Sequence, residues 1–194
     1  MLLPAGLARS ASLSAFQALR VKEYRVPAGS GPHDVAPGGT GPYGITTTPS
    51  GQVWYASLAG SHIARIDLAT GKATALRPPT KGQGARRIWS DSPGRLWVSE
   101  WNAGRVARYD PKTRRWREWR LPGTAQPYAV YVDDRDVVWL TDFAASAIVR
   151  FDPMTQRFTR LRLRANANVR QLLGAAGVVW GAESGADRIV SVSR

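Results

Sequence analysis

The sequence predicts an all-β fold: a β-propeller of about four blades, each a four-stranded antiparallel sheet of about 42 residues. Three observations predict it. A tryptophan that follows a turn and an aliphatic residue recurs at Trp54, Trp97, Trp139 and Trp180, at intervals of 43, 42 and 41 residues. Each unit divides into short strand phrases punctuated by Gly, Pro, Ser and Asp. The last unit ends without a fourth strand, and a phrase that matches one stands near the N-terminus.

The first strands are GPYGITTT (41–48), ARRIWSD (85–91), PYAVYVD (127–133) and NVRQLLG (168–174). After their turns come VWYAS, LWVSE, VWLTD and VWGAE, the second strands, whose Trp suits packing between twisted neighbouring sheets. HIARID, RVARYD, AIVRFD and RIVSVS alternate apolar and polar residues as half-buried third strands should. Asp67, Asp110 and Asp152 open the turns that follow, where an Asp caps its own turn. Fourth strands are ATALRPP (73–79), WREWRLP (116–122) and RFTRLRL (157–163). The fourth unit stops at Arg194, and VKEYRVP (21–27) reads closely against WREWRLP. A propeller closes by letting such a strand finish its last blade, because an unpaired strand edge is a liability. The propeller domain is therefore 21–194, with the closing strand at 21–27 and blades at 41–84, 85–126, 127–165 and 166–194.

Composition bounds the remaining possibilities. A chain of 194 residues, 43% of them hydrophobic, buries a sizeable core as one domain. No apolar run approaches the roughly 20 residues that span a bilayer. There is no cysteine, which removes disulfides and thiolate chemistry. Residues 1–20 carry no acid and read as an N-terminal tail or a degenerate signal, since Arg9 and several Ser interrupt the apolar part. Periplasmic or secreted and cytoplasmic locations both stay open. The net charge of +13 invites a nucleic-acid reading, but the basic residues are scattered through every segment and form no single stripe. A solvated basic surface is the better account.

In a four-stranded meander the head of the first strand and the end of the second share one face. Tyr43, Arg86, Tyr128 and Arg170 form one column there, and Ser57, Glu100, Asp142 and Glu183 form another. Together they predict a polar funnel at the central mouth, with Arg86, Tyr128, Arg170, Trp101 and His62 as substrate-binding residues. His62 lies in the loop LAGSHI on that face, farther out. Glu100, Asp142 and Glu183 supply carboxylates for Mg or another hard divalent cation. No G-x-S-x-G, H-E-x-x-H, P-loop or dinucleotide motif is present.

GPYGITTTPSGQVWYASLAGSHIARID and RLWVSEWNAGRVARYDPKT resemble the virginiamycin B lyase (streptogramin lyase) family of bacterial antibiotic-resistance proteins and their relatives. The resemblance covers 21–194. It implies a propeller whose funnel binds a cyclic depsipeptide of the streptogramin B type with a divalent metal, usually magnesium. A histidine then removes an α proton and the ester opens by elimination, chemistry that suits a near-neutral base and a Lewis acid. Carried over by motif, His33 in GPHDV and Tyr43 in GPYGI are the catalytic residues, and Glu183 in WGAES matches the acid of the final blade. Where the family has a Glu-Pro-His opening of that blade, this chain reads ANVRQ, with Asn168 and Arg170 in place of Glu and His. Family members are also longer, with about six or seven blades. The stretch GPHDVAPGGTGPYGI crowds two blade openings together, so 28–40 reads as a deletion join.

Three functions follow from these residues. The chain is a carbon–oxygen lyase on a cyclic ester, a non-catalytic propeller that binds a small ligand or protein through its mouth, or a metal-dependent hydrolase of the gluconolactonase type. If the ring is incomplete, self-association is a further expectation.

Overall fold

The computed structural model describes residues 42–193, and every regular element among them is a β-strand. The tail at 1–20, the strand expected at 21–27, the join at 28–40 and His33 lie outside the described residues. Blade one is β1 (Pro42–Thr47), β2 (Val53–Ser57), β3 (His62–Ile66) and β4 (Ala73–Leu76). Blade two is β5 (Ala85–Ser90), β6 (Leu96–Glu100), β7 (Arg105–Asp110) and β8 (Arg115–Arg120). Blade three is β9 (Pro127–Val132), β10 (Val138–Asp142), β11 (Ala147–Asp152) and β12 (Arg157–Arg162). Blade four has three strands among the described residues: β13 (Val169–Ala175), β14 (Val178–Glu183) and β15 (Arg188–Ser193). Each sheet is an antiparallel meander in chain order, and the described residues form a β-propeller of four blades.

The period-two pattern explains the layering. Along β8 and β12 exposed and half-buried residues alternate, as outer strands with one wet face require, whereas β6 and β10 are buried throughout. Within β6, Leu96 and Val98 pack towards blade one with Trp54, Ala56 and Ile63, while Trp97 packs towards blade three. Trp97 is fully buried against Trp119 and Phe151, with ring centroids 5.5 and 5.9 Å away. Burying a ring of that size stabilises by a few kcal/mol.

A buried indole must also satisfy its N–H. Asp91 and Asp133, each at the end of a first-strand phrase, accept it: Trp97 Nε1 and Trp139 Nε1 donate to them at 2.9 Å. Their other carboxylate oxygens take backbone N–H groups of the turn, Arg95 in blade two and Val137 in blade three. One Asp thus ties turn to blade seam. Asp67, Asp110 and Asp152 cap the β3–β4, β7–β8 and β11–β12 turns, accepting N–H groups two residues ahead at 2.9 Å.

The marker tryptophans are not equivalent. Trp54, Trp97 and Trp139 are 3%, 0% and 2% exposed because the next blade covers each of them. Trp180 is 50% exposed, and Leu173 and Ile189 on the same face are exposed with it. Blades pack one to two, two to three and three to four, with no comparably extensive packing of β13 on β1 among the described residues. Among these residues no helix is long and apolar enough to cross a membrane.

Candidate functional site

The site is built where the inner strands begin. In β1, β5, β9 and β13 the pairing register shifts just after the first residue, between Pro42 and Gly44, Ala85 and Ile88, Pro127 and Val130, and Val169 and Leu172. Such a bulge interrupts the ladder and re-aims the side chains within it. Those side chains are Tyr43, Arg86 with Arg87, Tyr128, and Arg170. In blades two and three a hydroxyl from the second strand serves the freed backbone groups. Arg87 N donates to Ser99 Oγ at 3.0 Å, Ser99 Oγ donates on to Tyr128 O at 2.7 Å, and Ala129 N donates to Thr141 Oγ1 at 2.9 Å. Gly44 is needed beside this region, because a Cβ there would meet the Arg87 Cα at 2.9 Å.

The bulges bring Tyr43, Arg86, Trp101 and Tyr128 together. The Arg86 guanidinium lies 3.7 Å from the Tyr128 ring centroid, 4.4 Å from Trp101 and 4.5 Å from Tyr43. Cation–π contact of this kind contributes about 0.5–2 kcal/mol per ring, depending on desolvation. Arg86 Nη2 donates to Tyr43 Oη at 2.9 Å, while its buried Nε has no partner. The hydroxyls of Tyr43 and Tyr128 are hydrogen-bonded to each other. Burial and the bond to Tyr128 push the Tyr43 hydroxyl up. Burial also works upward on Tyr128, but the Tyr43 hydroxyl and the charges of Arg86 and Arg170 outweigh it and bring Tyr128 down. Either hydroxyl can serve as the donor of the pair.

Phe143 completes the wall. It stacks on Tyr128 at 4.5 Å and meets Trp101 edge-on at 5.5 Å. It is not among the residues expected at the mouth, although Phe143 follows Asp142 just as Trp101 follows Glu100. Arg87 adds a second guanidinium 5.3 Å from the Tyr43 ring. Arg170, on blade four, is exposed and donates from Nε to Ser184 Oγ at 3.2 Å. Below the mouth a narrow channel is lined from all four inner strands, by Gly44, Ile45, Ile88, Trp89, Val130 and Leu172 among others.

The acidic column behaves differently from the expectation of a polar funnel. Ser57, Glu100, Asp142 and Glu183 are all buried at the ends of β2, β6, β10 and β14. Asp142 Oδ1 accepts the N–H groups of Gln126 and Ala144 at 3.0 and 3.1 Å, and its Oδ2 lies 3.4 Å from Arg160 Nη2. Ser57 Oγ accepts the Gly60 N–H at 3.0 Å. Short side chains at this position cap the β2–β3 type of turn. Glu100 is one methylene too long for that, and neither of its carboxylate oxygens has a hydrogen-bond partner. By strand alternation it faces the seam with blade one, where burial, and then the charge of Glu118, push its carboxyl up to about 8 against the pull of Arg105.

A divalent cation needs several converging oxygens. No group of three or more His, Asp or Glu is placed to hold one among the described residues. Glu100, Asp142 and Glu183 sit on three different blades, and Asp142 is committed to its turn.

His62 also departs from its expected place. It opens β3 instead of lying in a loop, and it is buried, with Nδ1 3.2 Å from Gly60 O and Nε2 3.5 Å from Tyr55 Oη. Tyr55, Ala64 and Ile66 share that face, which is turned away from blade two and from the aromatic cluster. Burial holds the imidazole below its usual range, opposed by the Gly60 carbonyl and aided by Arg77.

The fold and the cluster define a propeller with an aromatic, arginine-bearing mouth. The model of the virginiamycin B lyase family matches residues 28–194, and the chain belongs to that family. Solved structures agree on the fold. A catalytically inactive virginiamycin B lyase from Staphylococcus aureus, determined with quinupristin, superposes with a TM-score of 0.72 at 26% identity, covering 78% of this chain and 52% of that one. A streptogramin B lyase superposes with a TM-score of 0.74 at 22% identity, over 79% of this chain and 51% of that one. The chain thus spans about half the length of these lyases. Hydrazine synthase of Kuenenia stuttgartiensis shares the fold as well, with a TM-score of 0.68 at 14% identity, over 83% of this chain and 48% of that one. No curated protein matches this sequence.

Proposed function

We propose that the chain is a ligand-binding propeller of the virginiamycin B lyase family, which takes a small cyclic ester or peptide of the streptogramin B type at its mouth. The observation that carries this reading is the Arg86 cluster. Three blades contribute Tyr43, Arg86, Trp101, Tyr128 and Phe143 to one surface, and a fourth adds Arg170. Flat aromatic walls around a few fixed polar groups suit a compact, partly apolar ring bearing amide and ester carbonyls. Calorimetric titration of quinupristin into the full chain tests the reading: saturable one-site binding is expected, and no heat at ligand concentrations up to millimolar contradicts it.

A second reading is eliminative ring opening, favoured by the family match over 28–194. It assigns the base to His33 and catalysis also to Tyr43, whose hydroxyl lies in the cluster. Mass spectrometry of the incubated depsipeptide separates the outcomes. Elimination leaves the mass unchanged while opening the ring, hydrolysis of the gluconolactonase kind adds one water, and a binder leaves the ring intact. Magnesium is expected to make no difference to binding, because Glu100, Asp142 and Glu183 do not converge.

A further inference from the structure

We propose that the mouth contains an anion seat: Arg86, flanked by Arg170 and the Tyr43–Tyr128 hydroxyl pair, receives a carboxylate carried on an aromatic group. The inference deepens the binding reading above and rests on it. Its starting point is a charge imbalance. Among the described residues the ion pairs are Arg95–Asp91, Arg105–Glu118, Arg150–Asp152 and Arg160–Asp142, and none involves Arg86 or Arg170. The nearest acid along the strand pair, Glu100, is turned to the blade-one seam. Among the described residues, no carboxylate pairs with the guanidinium of Arg86 or of Arg170 at this mouth.

Geometry narrows what would answer them. The Arg86 guanidinium carbon lies over the rings of Tyr43, Trp101 and Tyr128 at 4.5, 4.4 and 3.7 Å, so new hydrogen bonds must form at N–H groups left open on its edge. Its Nη2 donates to Tyr43 Oη, the side chain also bonds the Tyr128 hydroxyl, and the buried Nε has no partner. A planar carboxylate offers two oxygens that match an edge-on guanidinium fork. Arg170 acts on the Tyr128 oxygen, and the field that lowers this phenol favours negative charge on oxygen at the same place. Trp101 and Phe143 stand beside it as flat walls, which suits an aryl carrier for the acid.

The experiment uses benzoate as probe, benzamide as its neutral isostere and the cyclic depsipeptide as reference, each titrated into the full chain by calorimetry and ligand-observed NMR. Benzoate is expected to bind at least about tenfold tighter than benzamide, the ratio for one charge-assisted contact. Arg86→Gln should lose at least about tenfold of benzoate affinity and a clearly smaller factor of benzamide affinity, with Arg170→Gln losing about threefold of benzoate affinity. Arg86→Lys keeps the charge without the fork and guards against misfolding; with an unchanged melting temperature it should bind benzoate more weakly than wild type. Equal binding of benzoate and benzamide overturns the anion seat while leaving the binding reading standing if the depsipeptide binds. Benzoate binding that Arg86→Gln does not weaken places the anion elsewhere on the basic surface and also overturns it. Failure of all three ligands removes both readings together.

Discussion

Glu100 shows how one methylene changes a residue's task. At the same blade position Ser57 and Asp142 reach the N–H groups of their own turn, whereas Glu100 overshoots and is buried with both oxygens unpartnered. Its carboxyl is raised from 4.5 to about 8. Below pH 4.5 the group is protonated in both folded and unfolded chains, so it adds no pH dependence. Between 4.5 and 8 the folded chain holds a proton that the unfolded chain releases, and stability falls as pH rises, by up to about 1.4 kcal/mol per unit. Glu100→Gln is therefore expected to raise the melting temperature at pH 9 far more than at pH 5; equal gains at both contradict the assignment. None of this was legible in the sequence, where Glu100, Asp142 and Glu183 look like one acidic column. Burial and turn capping decide their roles, and a column of letters carries neither. The aromatic cluster was more legible, because strand heads of successive blades must converge. Phe143 carries the same signal as Trp101, an aromatic residue directly after the acid that ends the second strand.

At the level of elements, strand order and most strand boundaries follow from alternation and turn residues. The bulges do not, because they arise from how each inner strand meets its neighbour. Ser99 and Thr141 stabilise two of them by accepting N–H groups that the ladder leaves unpaired. Thr141→Val keeps the shape and removes the acceptor for Ala129, so it should cost about 1–3 kcal/mol in urea denaturation. A cost indistinguishable from zero would mean that the bulge does not depend on this hydroxyl. The marker tryptophans give a second comparison. Trp97→Ala removes a fully buried ring and should cost about 3–5 kcal/mol. Trp180→Ala, at half exposure, should cost less than half as much. The repeat makes these two residues look interchangeable; the packing of blade three on Trp97, which has no counterpart on Trp180 among the described residues, distinguishes them.

The molecule as a whole is a row of blades whose seams are unequal. Blades two and three are packed on both sides, by the clusters around Trp54, Trp97 and Trp139, whereas blade four leaves Leu173, Trp180 and Ile189 open. Local opening follows local packing. Amide hydrogen exchange should therefore be slowest in β6, β7, β10 and β11 and fastest among regular strands in β14 and β15. Uniform protection across the four blades would show that blade four is covered in solution. The same unevenness bears on the mouth, since Tyr43, Arg86, Trp101, Tyr128 and Phe143 come from blades one to three and Arg170 from the open end. The rigid part of the propeller thus holds the cluster. That this cluster is the binding site is tested most directly by titrating a streptogramin B depsipeptide into wild type and into Trp101→Ala, whose ring is only partly buried. One saturable site in the wild type, weakened about tenfold or more in a variant of unchanged melting temperature, is the expected result. Equal affinity for both proteins would place binding away from the mouth and contradict it.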